Sequence, residues 1–206
     1  MTTALAPPPT AEMLDTPYPI TADLFQLMVE REIFPPESRV FLWDGRLYEK
    51  MAKTQAHAGV HSAFLGAISR RLPPGCFLAA ENPVKLDSLH LPLPDLIVAR
   101  GQPLALHHNR FPDGRDVVLV IEVAVTSLKA DLGPRLSRYA LALPGAIYLV
   151  ADVPRRRVLI HSEPRRNETT GRGEYGQCAE VGPGGSLVLK IDGVEIGPIP
   201  FEEVMG

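Results

Sequence analysis

Hydrophobic and polar residues in the first third of the chain follow patterns that predict two helices with a hairpin between them. Apolar residues recur at helical spacing over residues 21–33, and again on one face over residues 56–72. Residues 39–51 consist of two short strand-like segments separated by Asp44-Gly45. Because Asp-Gly favours the tight turn of a two-residue hairpin, we predict two antiparallel strands here.

Longer apolar runs dominate the rest of the chain and predict a sheet. The run over residues 116–125 is continuous and rich in valine, which is typical of a central strand buried on both faces. Residues 127–143 are polar at first and then helical, with Pro134 acceptable only near the helix start. Residues 94–100 and 146–163 supply further strands. The order of elements predicts an α/β (α+β) protein with a mixed central sheet flanked by helices.

Composition narrows the class of protein. The 206 residues suit one domain, which we expect to span residues 21–206 after a flexible proline-rich arm at residues 1–20. The net charge of −3 gives no global basic field. Two cysteines without CxxC spacing argue against a zinc ribbon and fit a reducing compartment. No apolar stretch is long enough to span a membrane, so we expect a cytoplasmic protein.

Two acidic residues interrupt apolar segments where a charge is costly. Asp95 precedes the run Leu-Ile-Val-Ala, and Glu122 lies inside the run over residues 116–125. An unpaired carboxylate in such a position costs free energy or takes up a proton. Asp95 could cap a loop while Glu122 pairs with an arginine, or the two acids could meet on adjacent strands and share a divalent cation. Mg²⁺ suits the second arrangement, because it binds one or two carboxylates and fills its other positions with water and phosphate oxygens.

These segments resemble the Uma-two-type family of putative restriction endonucleases, within the PD-(D/E)XK nuclease superfamily. Pro94-Asp95 stands at a strand start and Glu122-Val123 near a strand end, as in that family. An upstream segment supplies the family's Asp-Gly at residues 44–45. The resemblance extends from about residue 21 to the C-terminus. It implies a restriction-endonuclease-like fold in which Asp95 and Glu122 are catalytic and bind Mg²⁺ or Mn²⁺.

The resemblance also assigns the basic residue of the site. The family's catalytic lysine corresponds to Arg135 in this chain. Arginine retains the positive charge that can stabilise a phosphorane but transfers protons poorly. Lys129 is close in sequence and is the alternative source of a lysine.

Further polar residues are candidates for the same cleft. Glu49 and His57 match upstream positions of the family, and Asp131 and Tyr139 match positions after Glu122. Glu49 could be a third acid that reaches the metal from the hairpin. Glu81 lies on the strand before Asp95 and could join the cluster. Each of these residues could instead have an ordinary structural role.

The sequence therefore predicts a metal-dependent nuclease that hydrolyses phosphodiester bonds of nucleic acid, with DNA as the expected partner. A homodimer is expected, because cutting both strands favours two sites related by a two-fold axis. One alternative is a catalytically inactive nuclease fold that binds nucleic acid or a protein partner. Another is a small-molecule phosphoesterase that uses the same acids without nucleic acid.

Overall fold

The computed structural model describes residues 16–102 and 110–206. Most of the predicted N-terminal arm, residues 1–20, lies outside these ranges. The helices are α1 (Ala22–Glu30), α2 (Gln55–Ser69), α3 (Leu128–Ala130), α4 (Leu136–Ala142) and α5 (Phe201–Met205). The strands are β1 (Val40–Trp43), β2 (Arg46–Glu49), β3 (Cys76–Ala80), β4 (Leu96–Arg100), β5 (Val117–Ala124), β6 (Ile147–Asp152), β7 (Arg157–Arg166), β8 (Gly173–Val181), β9 (Ser186–Ile191) and β10 (Val194–Pro200).

The central element is a six-stranded mixed sheet in the order β3-β4-β5-β6-β7-β8. Its paired neighbours are antiparallel except for β5 and β6, which run parallel and are joined through the helical segment that contains α3 and α4. Every residue of β5 is buried, as its continuous apolar run predicts. The mixed sheet flanked by helices is the architecture expected from the sequence.

Apolar side chains cover both faces of the sheet. On one face, residues of α2, β9, β10 and α5 pack against alternate residues of β4 and β5, such as Leu96 and Ile121. On the other face, the helical segment around Tyr139 packs against the intervening residues, such as Ile97 and Val120. Successive side chains of a strand point to opposite faces, so two separate clusters share one sheet.

The predicted hairpin forms and is attached to the start of β4. Asp44 and Gly45 both have positive φ angles, 51° and 67°, as a tight hairpin turn requires. Leu42 in β1 exchanges backbone hydrogen bonds of 3.2 and 2.9 Å with Leu91. This attachment carries the end of β2, and Lys50 directly after it, toward the start of β4.

The segment after β5 is more irregular than the single late helix predicted from the sequence. A short helix, α3, is followed by a wide π-type turn over Asp131–Arg135 before α4 begins. Pro134 lies in that turn, where the missing N–H and the ring would disrupt an ordinary helix. Among the described residues, no helix combines the length and apolar character that a membrane crossing requires.

Candidate active site

Strand pairing brings the two predicted acids to the same face of the sheet. Leu96 of β4 lies opposite Ile121 of β5 in an antiparallel pair. Continuing that register by one residue aligns Asp95 with Glu122, and aligned residues of an antiparallel pair point to the same face. Both residues are buried, with relative exposures of 1% and 2%. Two carboxylates from neighbouring strands therefore meet at one end of the sheet.

Asp95 is surrounded by groups that stabilise its charge. Lys50 Nζ donates to Oδ1 at 2.7 Å, and the backbone N–H of Val123 donates to Oδ2 at 2.8 Å. His57 Nε2, at the start of α2, lies 3.2 Å from Oδ2. Burial alone would raise the pKa of Asp95, but these partners outweigh burial and hold its pKa below the usual range. Asp95 is therefore ionised.

Glu122 is in a less polar environment. Tyr139 donates its hydroxyl hydrogen to Oε1 at 3.1 Å. The cations nearest to Glu122 are farther away than Lys50 is from Asp95. Lys50 Nζ lies 3.8 Å from Glu122 Oε2, and Arg135 Nη1 lies 3.9 Å from Glu122 Oε1. Burial raises the pKa of Glu122 to about 7, although Lys50 and Arg135 act in the opposite direction. The two carboxylates therefore differ in their affinity for a proton.

Lys50 is the site residue that the sequence analysis missed. Its ammonium group contacts both carboxylates and also donates to the backbone oxygen of Leu93 at 2.9 Å. The side chain is only 14% exposed. A sequence signal existed, because Lys50 directly follows Glu49, which matched the upstream family segment.

Arg135, and not Lys129, lies beside Glu122. Arg135 Nη1 lies 2.6 Å from Asp131 Oδ1, and the guanidinium carbon lies 6.0 Å from the ring centre of Phe41. Ser127 Oγ donates to the other oxygen of Asp131 at 2.6 Å. Lys129 is exposed and is not among the residues that line the cavity in front of the acids.

The other predicted acids lie apart from the central pair. Glu49 lines the cavity with an exposed side chain. Glu81 forms an ion pair with Arg39, and Lys53 Nζ lies 3.3 Å from its Oε1. Burial would raise the pKa of Glu81, but Lys53 and Arg39 lower it. Glu81 therefore pairs with Arg39 and Lys53, and it does not line the cavity in front of Asp95 and Glu122.

A cavity of about 220 Å³ opens in front of the carboxylates. Its lining includes four basic side chains and three acidic ones, namely Arg39, Lys50, Lys53, Arg135, Glu49, Asp95 and Glu122. Within the described ranges, no group of three or more His, Cys, Asp or Glu side chains is arranged to hold a metal ion. Two carboxylates that already share one cation, beside a cavity that can hold water, nevertheless fit Mg²⁺, which needs only one or two carboxylates from a protein.

Comparison with solved structures supports the fold. A crystal structure described as a putative nuclease belonging to DUF820, from Anabaena variabilis ATCC 29413, superposes with a TM-score of 0.60. The match covers 91% of this chain and 98% of the other at 13% sequence identity. At this identity the likeness establishes a shared fold. No curated protein matches the chain significantly.

Sequence comparison identifies the family and confirms the resemblance predicted from the motifs. The family model that matches is Uma2, described as "Putative restriction endonuclease", over residues 22–188. The matched range includes β1 to β8 and the first residues of β9, and therefore every side chain that lines the cavity. The chain belongs to the Uma2 family.

Proposed function

We propose that this protein is a divalent-metal-dependent nuclease that hydrolyses phosphodiester bonds, with DNA as its substrate. The observation that carries the proposal is the pair of buried carboxylates, Asp95 and Glu122, which share one cation at a cavity lined by basic side chains. The family, described as restriction endonucleases, and the structural neighbour, described as a nuclease, support the same reaction class.

Asp95 and Glu122 would hold the metal ion. Asp95 is already ionised, and its Oδ2 is oriented by the N–H of Val123. Glu122 is oriented by the hydroxyl of Tyr139, and a bound divalent cation would favour its ionised form. A bound Mg²⁺ or Mn²⁺ supplies a Lewis acid for the phosphoryl oxygen and the attacking water.

Arg135 would act on substrate charge and not as a proton donor. Burial lowers the pKa of its guanidinium, but Glu122 and Asp131 outweigh burial and raise it above its usual value. The group therefore remains charged throughout the reaction. From its position near Glu122 it can stabilise the negative charge that develops on phosphorus-bound oxygens.

The remaining basic residues of the cavity suit a phosphate backbone. The cavity in front of Asp95 and Glu122 is also lined by three further positively charged side chains, Arg39, Lys53 and Arg135. Contacts of this kind make nucleic-acid binding sensitive to salt.

We further propose a homodimer, which would place two such sites on the two strands of a duplex. The two free cysteines, Cys76 and Cys178, support a location in the reducing cytoplasm.

A second candidate function is a nuclease fold that binds nucleic acid or a protein partner without cleaving it. The observation that favours it is the position of Arg135. Its guanidinium donates to the carboxylate of Asp131 and lies over the ring of Phe41. An arginine held in this way cannot replace a lysine in proton transfer. In this case Arg135→Lys would gain cleavage activity.

The test is a cleavage assay on plasmid and single-stranded DNA with Mg²⁺, with Mn²⁺ and with EDTA. We expect metal-dependent cleavage by the wild type, and loss of cleavage in Asp95→Ala and Glu122→Ala. Cleavage that survives both substitutions would rule out this site. Salt-sensitive DNA binding without cleavage, together with a gain of cleavage in Arg135→Lys, would select the second candidate.

A further inference from the structure

We propose that Lys50 is an internal cation that occupies the position of the divalent ion, and that it must leave this position before the ion can bind. This inference rests on the proposed function and concerns the regulation of the same site. Because Lys50 competes with the metal, the free protein would bind the metal weakly.

The distances place the ammonium group in the gap between the two carboxylates. Lys50 Nζ lies 2.7 Å from Asp95 Oδ1 and 3.8 Å from Glu122 Oε2. A divalent ion held by the same two oxygens would have to occupy the gap that the ammonium group fills. An ammonium group and a metal ion cannot occupy this space together, because they overlap sterically and repel each other.

Lys50 is held in this position by more than the carboxylates. Its Nζ also donates to the backbone oxygen of Leu93, two residues before Asp95. The hairpin that carries Lys50 is attached to the segment before β4 through the Leu42–Leu91 backbone hydrogen bonds. The ammonium group is therefore held beside the two acids by contacts from more than one part of the chain.

Lys50 also has space to move away. Its side chain lines the cavity, so the displaced ammonium group has volume into which it can turn. Once a metal ion takes the gap, the displaced ammonium group can turn toward a substrate phosphate. A phosphate group in the cavity would thus favour metal binding by attracting Lys50 away from the acids.

Lys53 provides a matched control. It lines the same cavity and carries the same charge, but its Nζ contacts Glu81, at 3.3 Å, and not the central pair. If the general charge of the cavity weakened metal binding, removing either lysine would have the same effect. If occupation of the gap is the cause, only Lys50 matters.

The experiment is a titration of the full chain with Mn²⁺, followed by electron paramagnetic resonance and calorimetry, at mildly alkaline pH and without nucleic acid. The variants are Lys50→Met, Lys53→Met and Asp95→Asn. Removing a positive charge in direct contact with both ligands should tighten Mn²⁺ binding about tenfold or more in Lys50→Met. Lys53→Met should stay within about twofold of the wild type because its charge is more distant and screened. Lys50→Gln, which keeps a hydrogen-bond donor without the charge, serves if Lys50→Met fails to fold, and should also bind Mn²⁺ more tightly.

Other outcomes would refute the role of Lys50, the proposed nuclease function, or both. Equal affinity in the wild type and the Lys50 variants, with binding lost in Asp95→Asn, would overturn the role of Lys50 and leave the metal site standing. Equal tightening in Lys53→Met would also overturn it. No Mn²⁺ binding by any variant would overturn both proposals. Tighter Mn²⁺ binding in Lys50→Met, together with no DNA cleavage by the wild type, would support the role of Lys50 and refute the nuclease function.

Discussion

The parallel strands β5 and β6 each carry a buried acidic residue near the carboxyl end, Glu122 and Asp152, and these two residues have different surroundings. Asp152, at the end of β6, pairs in register with Ala124 of β5 and is only 1% exposed. Its carboxylate is bound by Arg157 Nε at 2.9 Å and Arg155 Nη1 at 3.3 Å. Both partners lie within five residues of Asp152 along the chain.

The Asp95–Glu122 pair is built from distant parts of the chain. Its two acids come from different strands, and the cation they share comes from the hairpin. The pair also faces a cavity, whereas Asp152 is not among the residues that line it. Burial of an acid therefore does not by itself indicate a functional site. Two acids that converge on one cation beside an open volume are the more informative feature.

Substitution in the Asp95–Glu122 pair is expected to have its largest effect on catalysis. Glu122→Gln removes one of the two proposed metal ligands and should lower the DNA cleavage rate about 100-fold or more, since even the loss of an outer partner of a metal ligand can cost that much. Glutamine keeps the shape and an acceptor for Tyr139, so the fold should persist. Cleavage rates and thermal unfolding, measured on the same preparation, check both statements.

The same variant has a defined signature in stability against pH. The pKa of Glu122 is raised to about 7 in the folded protein, above the usual value of about 4.3 for the unfolded chain. Between these values the folded state binds more protons, so stability is greatest below the unfolded pKa and is lost as the pH rises through about 7. Glu122→Gln should remove this loss in metal-free protein. An unchanged profile would contradict the environment described for Glu122.

The complementary substitution is Asp152→Asn, which should affect stability and leave the site unchanged. It removes the charge that Arg155 and Arg157 bind, and should lower the free energy of unfolding by about 1–2 kcal/mol, less than for an enclosed pair because Arg155 is largely exposed. Denaturant unfolding measures the change. Mn²⁺ affinity should equal that of the wild type. Weaker Mn²⁺ binding in Asp152→Asn would show that the two acidic regions are coupled.

Local patterns in the sequence were sufficient for much of the architecture. The Asp44-Gly45 turn, the buried run of β5 and the parallel pairing of β5 with β6 follow from turn chemistry, from hydrophobicity and from the intervening helix. The π-type turn around Pro134 was not predicted, because the sequence shows that an ordinary helix is disfavoured there without showing which alternative replaces it.

The site was less accessible from sequence because its charges come from separate elements. Asp95 and Glu122 could be paired on paper, since a carboxylate in an apolar strand needs a partner. Lys50 could not be placed, because its position depends on how the hairpin attaches to the segment before β4. Arg135, which the resemblance assigned as the basic residue, lies beside Glu122, whereas the alternative, Lys129, does not line the cavity.

The smallest expected effect separates the hydroxyl groups of two buried tyrosines that pack against each other. Tyr139 donates to Glu122 Oε1 and Tyr148 donates to the backbone oxygen of Asp131, each at 3.1 Å. Tyr139→Phe should cost about 1 kcal/mol of stability, since it leaves Glu122 Oε1 without its hydroxyl donor. Tyr148→Phe should cost no more than this, because the backbone oxygen of Asp131 still accepts the N–H of Leu136. Only Tyr139→Phe should weaken Mn²⁺ binding, by about tenfold, because it removes the group that orients a metal ligand. Calorimetric titration of both variants measures the difference. Equal effects of the two variants on Mn²⁺ affinity would mean that the tyrosines act only through packing, and that Glu122 needs no orienting partner.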